Sequence, residues 1–132
     1  VSYLLDTNIC IYLLQGRPPA LVQRISALRV GELAMSVITY AELMAGVQAG
    51  STQRQRHARA LQDFTELVPV LPFDEAAARE YARLRAAVRD CQRNAMDRLI
   101  AAHACSRGLT LVTNNEADFR VFPGLKVENW AA

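Results

Sequence analysis

Short apolar runs alternate along the chain with longer stretches in which apolar residues return every three or four positions. Tyr3-Leu4-Leu5 is the first such run and ends on Asp6; residues 8–15 then read as a helix that Gly16-Arg17-Pro18-Pro19 stops. A second helix is predicted over residues 20–28, where Leu21, Ile25 and Leu28 form one stripe. Residues 32–38 fit a buried strand, and Thr39 is placed to cap a helix that buries Tyr40, Leu43, Met44 and Val47 and ends near Gly50. Residues 53–67 form a more polar helix. The prolines at 69 and 72 confine residues 68–73 to an edge strand. Asp74 caps a long helix carrying Ala76, Ala77, Tyr81, Leu84 and Val88. Asn94 is expected to cap the next, with Leu99, Ile100 and Ala104 inward and Gly108 as its stop. Residues 109–112 read as a core strand, and residues 125–127 as a last one. This order predicts an α/β/α sandwich, a mostly parallel central sheet flanked by helices.

Length and composition narrow the class. The 132 residues, 52% hydrophobic and 21% charged, suit one domain over 1–132 with a sizeable core and exclude a disordered or collagenous chain. The three cysteines, Cys10, Cys91 and Cys105, show no CxxC spacing, which argues against a zinc site or a disulfide framework. Val1-Ser2-Tyr3-Leu4-Leu5-Asp6 lacks the basic start of a signal peptide, and no run reaches the ~20 apolar residues of a membrane span. A cytoplasmic protein with no membrane partner is expected. The net charge of +2 is mild, yet fourteen of the fifteen basic residues are arginine, most of them in the middle of the chain. Solvated helix faces and bidentate contacts to phosphate explain that bias equally well.

Candidate chemistry gathers where a parallel sheet binds ligands, at the carboxyl ends of its strands and the helix starts that follow. Asp6 closes the first strand, Glu42 is read into the first turn of the helix after the second, Asp97 into the first turn after Asn94, and Asn114-Asn115 close a late strand. Taken singly, each is an ordinary cap or first-turn acid. Their apolar surroundings point further, because a buried carboxylate without a partner takes up a proton. Acids that converge stay ionised together only beside a cation. Oxygen ligands without cysteine or histidine select Mg2+ or Mn2+, and such an ion supplies nuclease chemistry at a phosphodiester. Alternatives fit less well: His57 lies in a polar helix and His103 among alanines, so neither is placed for a serine triad, and no glycine-rich phosphate loop is present.

Four motifs, taken in order, resemble the PIN-domain ribonucleases, and among them the VapC-type toxins of toxin-antitoxin pairs. They are Leu4-Leu5-Asp6-Thr7-Asn8, Ser36-Val37-Ile38-Thr39-Tyr40-Ala41-Glu42-Leu43 with Gly46, Ala95-Met96-Asp97-Arg98-Leu99-Ile100-Ala101, and Leu111-Val112-Thr113-Asn114-Asn115. The closing Phe122-Pro123-Gly124-Leu125-Lys126-Val127-Glu128-Asn129-Trp130 belongs to the same likeness. The resemblance implies a magnesium-dependent endoribonuclease in which Asp6, Asp97 and Glu42 are the metal-binding and catalytic acids. Thr7, Asn8, Asn114 and Asn115 support them, and Arg98 beside Asp97 reads equally as a contact to RNA phosphate or an acidic group of the partner and as a solvated helix arginine. It also implies a homodimer, an inhibitory VapB-type antitoxin, a higher complex on operator DNA, and translation RNA, especially tRNA, as substrate. The alternative is a non-catalytic PIN module that only binds RNA or protein. Two departures stand out: Asn115 occupies the place of a fourth acid, with Asp118 downstream, and the connection through Arg89-Asp90-Cys91-Gln92-Arg93-Asn94 is short.

Overall fold

Five short strands, among the residues that the computed structural model describes (1–50, 52–89 and 95–131), build one parallel sheet. β1 (Tyr3–Leu5), β2 (Leu33–Ser36), β3 (Val70–Leu71), β4 (Thr110–Val112) and β5 (Lys126–Glu128) lie in the order β3-β2-β1-β4-β5. The chain adds β2 and β3 on one side of β1, then crosses back to lay β4 on the other. That reversal opens a crevice between the carboxyl ends of β1 and β4, the position where open parallel sheets take their ligands.

Alternation along the strands builds two cores. Leu5, Met35 and Val112 are in register and face one side, where they pack with Ile9, Leu21, Leu43, Val47 and Leu61. Leu4, Ala34 and Leu111, one residue earlier, face the other side and meet Leu84, Ile100, Ala101, Ala104 and Phe119. The first layer is α1 (Thr7–Leu14), α2 (Pro19–Ser26), α3 (Val37–Ala49) and α4 (Arg54–Leu67); the second is α5 (Glu75–Ala87), α6 (Ala95–Arg107) and the short α7 (Glu116–Phe119). The α/β/α sandwich expected from the pattern is therefore present, with every strand pair parallel.

One boundary differs in a way that moves a candidate acid. The strand expected over residues 32–38 stops at Ser36, and Val37 and Ile38 are helical. Ser36, not Thr39, is the cap: its Oγ accepts the Ile38 amide at 3.1 Å. β-branched residues fit either element, and here the serine decides the start. Thr39 becomes a buried position inside α3, and Glu42 falls in the second turn rather than the first. The edge strand read over 68–73 shrinks to two residues, as its prolines foretell. The helix α7 had no signal in the pattern. Asp74 caps α5 as expected, accepting the Ala77 amide at 3.0 Å. Asn94, the expected cap of α6, and most of the connection before it lie outside the described residues.

Candidate active site

Asp6, Ser36 and Thr113 are the residues that follow in register on β1, β2 and β4, and all three are buried. A polar row thus caps the apolar centre of the sheet at its carboxyl edge. Asp6 is only 4% exposed and caps α1, its Oδ1 accepting the Ile9 amide at 2.9 Å. Burial pushes its carboxyl above the ordinary value; the Thr113 hydroxyl and the Ile9 amide pull it back, and the charge of Glu42 raises it again.

Glu42 reaches the same place from α3, half-buried. Thr7 Oγ1 donates to Glu42 Oε1 at 2.6 Å and lies 3.2 Å from Thr39 Oγ1. A hydroxyl has one proton, so with Thr7's spent on the carboxylate the second contact uses the proton of Thr39. Thr39 thereby fixes Thr7, and Thr7 fixes the acid. Asp97 enters from the first turn of α6. Its carboxyl is pushed up to about 6, first by burial and then by the negative charges of Asp6, Glu42 and Asp118. Four acids from four distant stretches of sequence therefore share one electrostatic neighbourhood.

The supporting residues divide. Asn115 donates from Nδ2 to Asp118 Oδ2 at 2.6 Å, and its own amide donates to Thr113 Oγ1 at 3.0 Å. Of the two residues at the position of a fourth acid, Asp118 brings the charge and Asn115 holds it. Asn114 bonds to Tyr12 at 2.9 Å, and Asn8 is exposed on α1. Arg98 lies inward rather than on a contact surface: it is 6% exposed, and Nη2 donates to the Val88 carbonyl at 3.3 Å, tying α6 to the end of α5. Thr39, Thr113 and Tyr12 were not singled out as supports. The register of β1 with β4 is the signal that Thr113 carried, since both strands end one residue before a polar side chain.

Beneath the acids lies a second polar pair. His103 is fully buried, its Nδ1 2.7 Å from Ser36 Oγ. Ser36 Oγ also accepts the Ile38 amide, so one hydroxyl joins the start of α3 to the buried ring. Burial holds His103 down to about 4. This ring is structural, as its alanine surroundings suggested. Cys10 is also inert, since burial pushes its thiol well up.

The acids could hold a divalent cation. Every donor is a carboxylate oxygen, and the mutual repulsion that raises Asp97 is the kind that a hard cation relieves. Among the described residues no three acids are already drawn together as a closed cage. A set of this type leaves coordination positions for water and phosphate.

The comparisons place this architecture. Residues 3–125 match the family model of the PIN domain. The chain is 35% identical to a tRNA(fMet)-specific endonuclease VapC of Shigella flexneri over 133 residues, covering 99% of each chain. It is 38% identical to ribonuclease VapC1 of Haemophilus influenzae over 133 residues, covering 97% of each. Among solved structures, VapBC-1 of nontypeable Haemophilus influenzae superposes with a TM-score of 0.89 at 34% identity over the full length of both chains. VapBC2 of Rickettsia felis, bound to a promoter DNA fragment, superposes with a TM-score of 0.88 at 32% identity, covering 98% of this chain and 99% of that one. The chain belongs to the PIN-domain family, within its VapC ribonuclease branch.

Proposed function

We propose that this protein is a magnesium-dependent endoribonuclease toxin that hydrolyses phosphodiesters of a translation RNA, with tRNA the leading class. The observation that carries this reading is the convergence of Asp6, Glu42, Asp97 and Asp118 at one rim, where burial first and then the charges of the other three raise the Asp97 carboxyl to about 6. Asp6 and Asp97 are the primary ligands of Mg2+, with Mn2+ as a substitute, and Glu42 and Asp118 complete the negative set. When bound, the ion lowers the pKa of a water and offsets charge that develops on the phosphodiester. Glu42, held by Thr7, takes the proton from the attacking water. Attack in line expels the 3′ oxygen, which takes a proton from solvent water, leaving a 5′ phosphate and a 3′ hydroxyl.

The partner we assign is a VapB-type antitoxin. Glu42 lines a groove of about 330 Å3 with Ile11, Leu14, Leu43, Gly46 and His57, and both Ile11 and Leu14 are exposed. An apolar segment of the antitoxin laid there also covers the acids. Tyr12 on the same helix lies away from this groove, where its hydroxyl oxygen accepts from Asn114 Nδ2. By likeness to the toxin-antitoxin structures, a homodimer and a complex on operator DNA follow from the same reading.

Purified protein freed of antitoxin should cut cellular RNA in Mg2+, stop in EDTA and resume when Mg2+ is restored, with mapped 5′ ends carrying phosphate. Cleavage that persists in EDTA contradicts the metal assignment, and binding without any cleavage supports the non-catalytic module.

A further inference from the structure

We infer that a pocket between the end of α1 and the residues after β4 and β5 binds one phosphate of the RNA strand beside the bond that is cut, an inference that rests on the ribonuclease reading above. The pocket has a volume of about 320 Å3 and is lined by Tyr12, Arg17, Pro18, Asn114, Asn129 and Ala131.

Its hydrogen-bonding groups are almost all donors. Arg17 lies over the Tyr12 ring, its guanidinium carbon 5.5 Å from the ring centroid, and its Nε donates to Gln15 Oε1 at 3.0 Å. Among the described residues neither Nη group has a hydrogen-bond partner. The Tyr12 oxygen accepts from Asn114 Nδ2 at 2.9 Å, which leaves the phenolic proton for a ligand. Asn129 Oδ1 accepts the Ala131 amide at 2.9 Å, so its Nδ2 is the free end of that side chain. Asn114 Oδ1 is buried and, among the described residues, meets no donor. A fixed positive charge, a phenol proton and an amide, with the exposed acceptors already engaged, suit an anionic oxygen cluster. A guanidinium takes phosphate in a bidentate way that a lysine does not.

Position makes that anion an RNA phosphate. Asn114 stands between Thr113, whose hydroxyl bonds Asp6, and Asn115, whose amide holds Asp118. Asn114, which lines the pocket, is thus the chain neighbour of two residues that hold rim acids. Four acids repel a polyanion, and a strand drawn across them needs a cation fixed to the protein nearby. Arg17 is that cation, so the strand is gripped on the β4–β5 side while the apolar groove on the other side of α1 is left to the antitoxin.

The test uses the full chain in Mg2+ and an oligoribonucleotide spanning a cut mapped as described above, with kinetics followed over a KCl series. Arg17→Ala should raise KM roughly tenfold, the effect of one lost charge-assisted contact, with kcat kept. The slope of log kcat/KM against log salt should become shallower by about 0.7, one phosphate on a single strand. Arg17→Lys should restore the slope, Tyr12→Phe should raise KM without changing it, and Arg59→Ala on α4 should change neither. An Arg17→Ala protein with wild-type KM and slope overturns the pocket while leaving the ribonuclease reading intact. So does one that loses only kcat, or only antitoxin affinity. A wild-type protein that cuts no RNA overturns both.

Discussion

Asp97 shows how one side chain reports a whole site. Its carboxyl sits near 6 because burial disfavours its charge and the negative charges of Asp6, Glu42 and Asp118 add to that, so without metal it is half protonated near pH 6. Carbon-detected titration should give Asp97 an apparent pKa near 6 without metal and a clear drop on adding Mg2+; an ordinary carboxylate value in EDTA would contradict the convergence of acids. Because the deprotonated form is the one that holds the cation, cleavage at limiting Mg2+ should rise with pH through about 6. Thr7 offers a second check at this scale. Thr7→Val keeps the shape and removes the proton given to Glu42, which should lower kcat roughly tenfold or more without unfolding the chain, a loss within the range of general-base effects. These identities were largely legible in the sequence, since acids following apolar runs stand out. Their supports were not: the partners of Thr7 and Asp6 come from strands and helices that only the register brings together.

At the scale of elements, α3 carries the clearest lesson. Its start moved from Thr39 to Ser36 because Ser-Val-Ile-Thr offers two capping residues on either side of a β-branched pair that serves a strand or a helix equally. What separates them is His103, 67 residues away, which fixes the Ser36 hydroxyl in the core. Ser36→Ala removes a helix cap and orphans a buried imidazole at once. The expected loss is about 2–4 kcal/mol in urea unfolding, the sum of a cap and an unmet buried polar group. Ser36→Thr should recover most of it. The helix order and the edge strand were readable from periodicity and proline; α7 was not, because a four-residue turn of helix is too short to show a period.

The molecule as a whole balances a fold that stands on its own two cores against a rim that is strained without a cation. Buried His103 and half-buried Asp97 give opposite pH slopes. His103, held down to about 4 in the fold, binds its proton more readily when unfolded, so stability from it is lost as pH falls below about 6.5. Asp97, raised to about 6, binds a proton more readily when folded, so its contribution is present in acid and lost as pH rises through 6. The two oppose each other between about pH 4 and 6. Asp97→Asn should unmask the histidine slope, with Tm rising across that window, and Mg2+ should raise the wild-type Tm chiefly above pH 6. A fold that melts in EDTA at neutral pH and ordinary temperature would contradict its independence from the ion. The central claim, that the rim acids cut RNA, is tested most directly by comparing wild type with Asp6→Asn on cellular RNA in Mg2+, after confirming that both are folded. The account predicts specific cleavage by wild type and its loss, by a factor of a hundred or more, in Asp6→Asn, a reduction of about 2.7 kcal/mol or greater in transition-state stabilisation. Equal cleavage by the two proteins would contradict it.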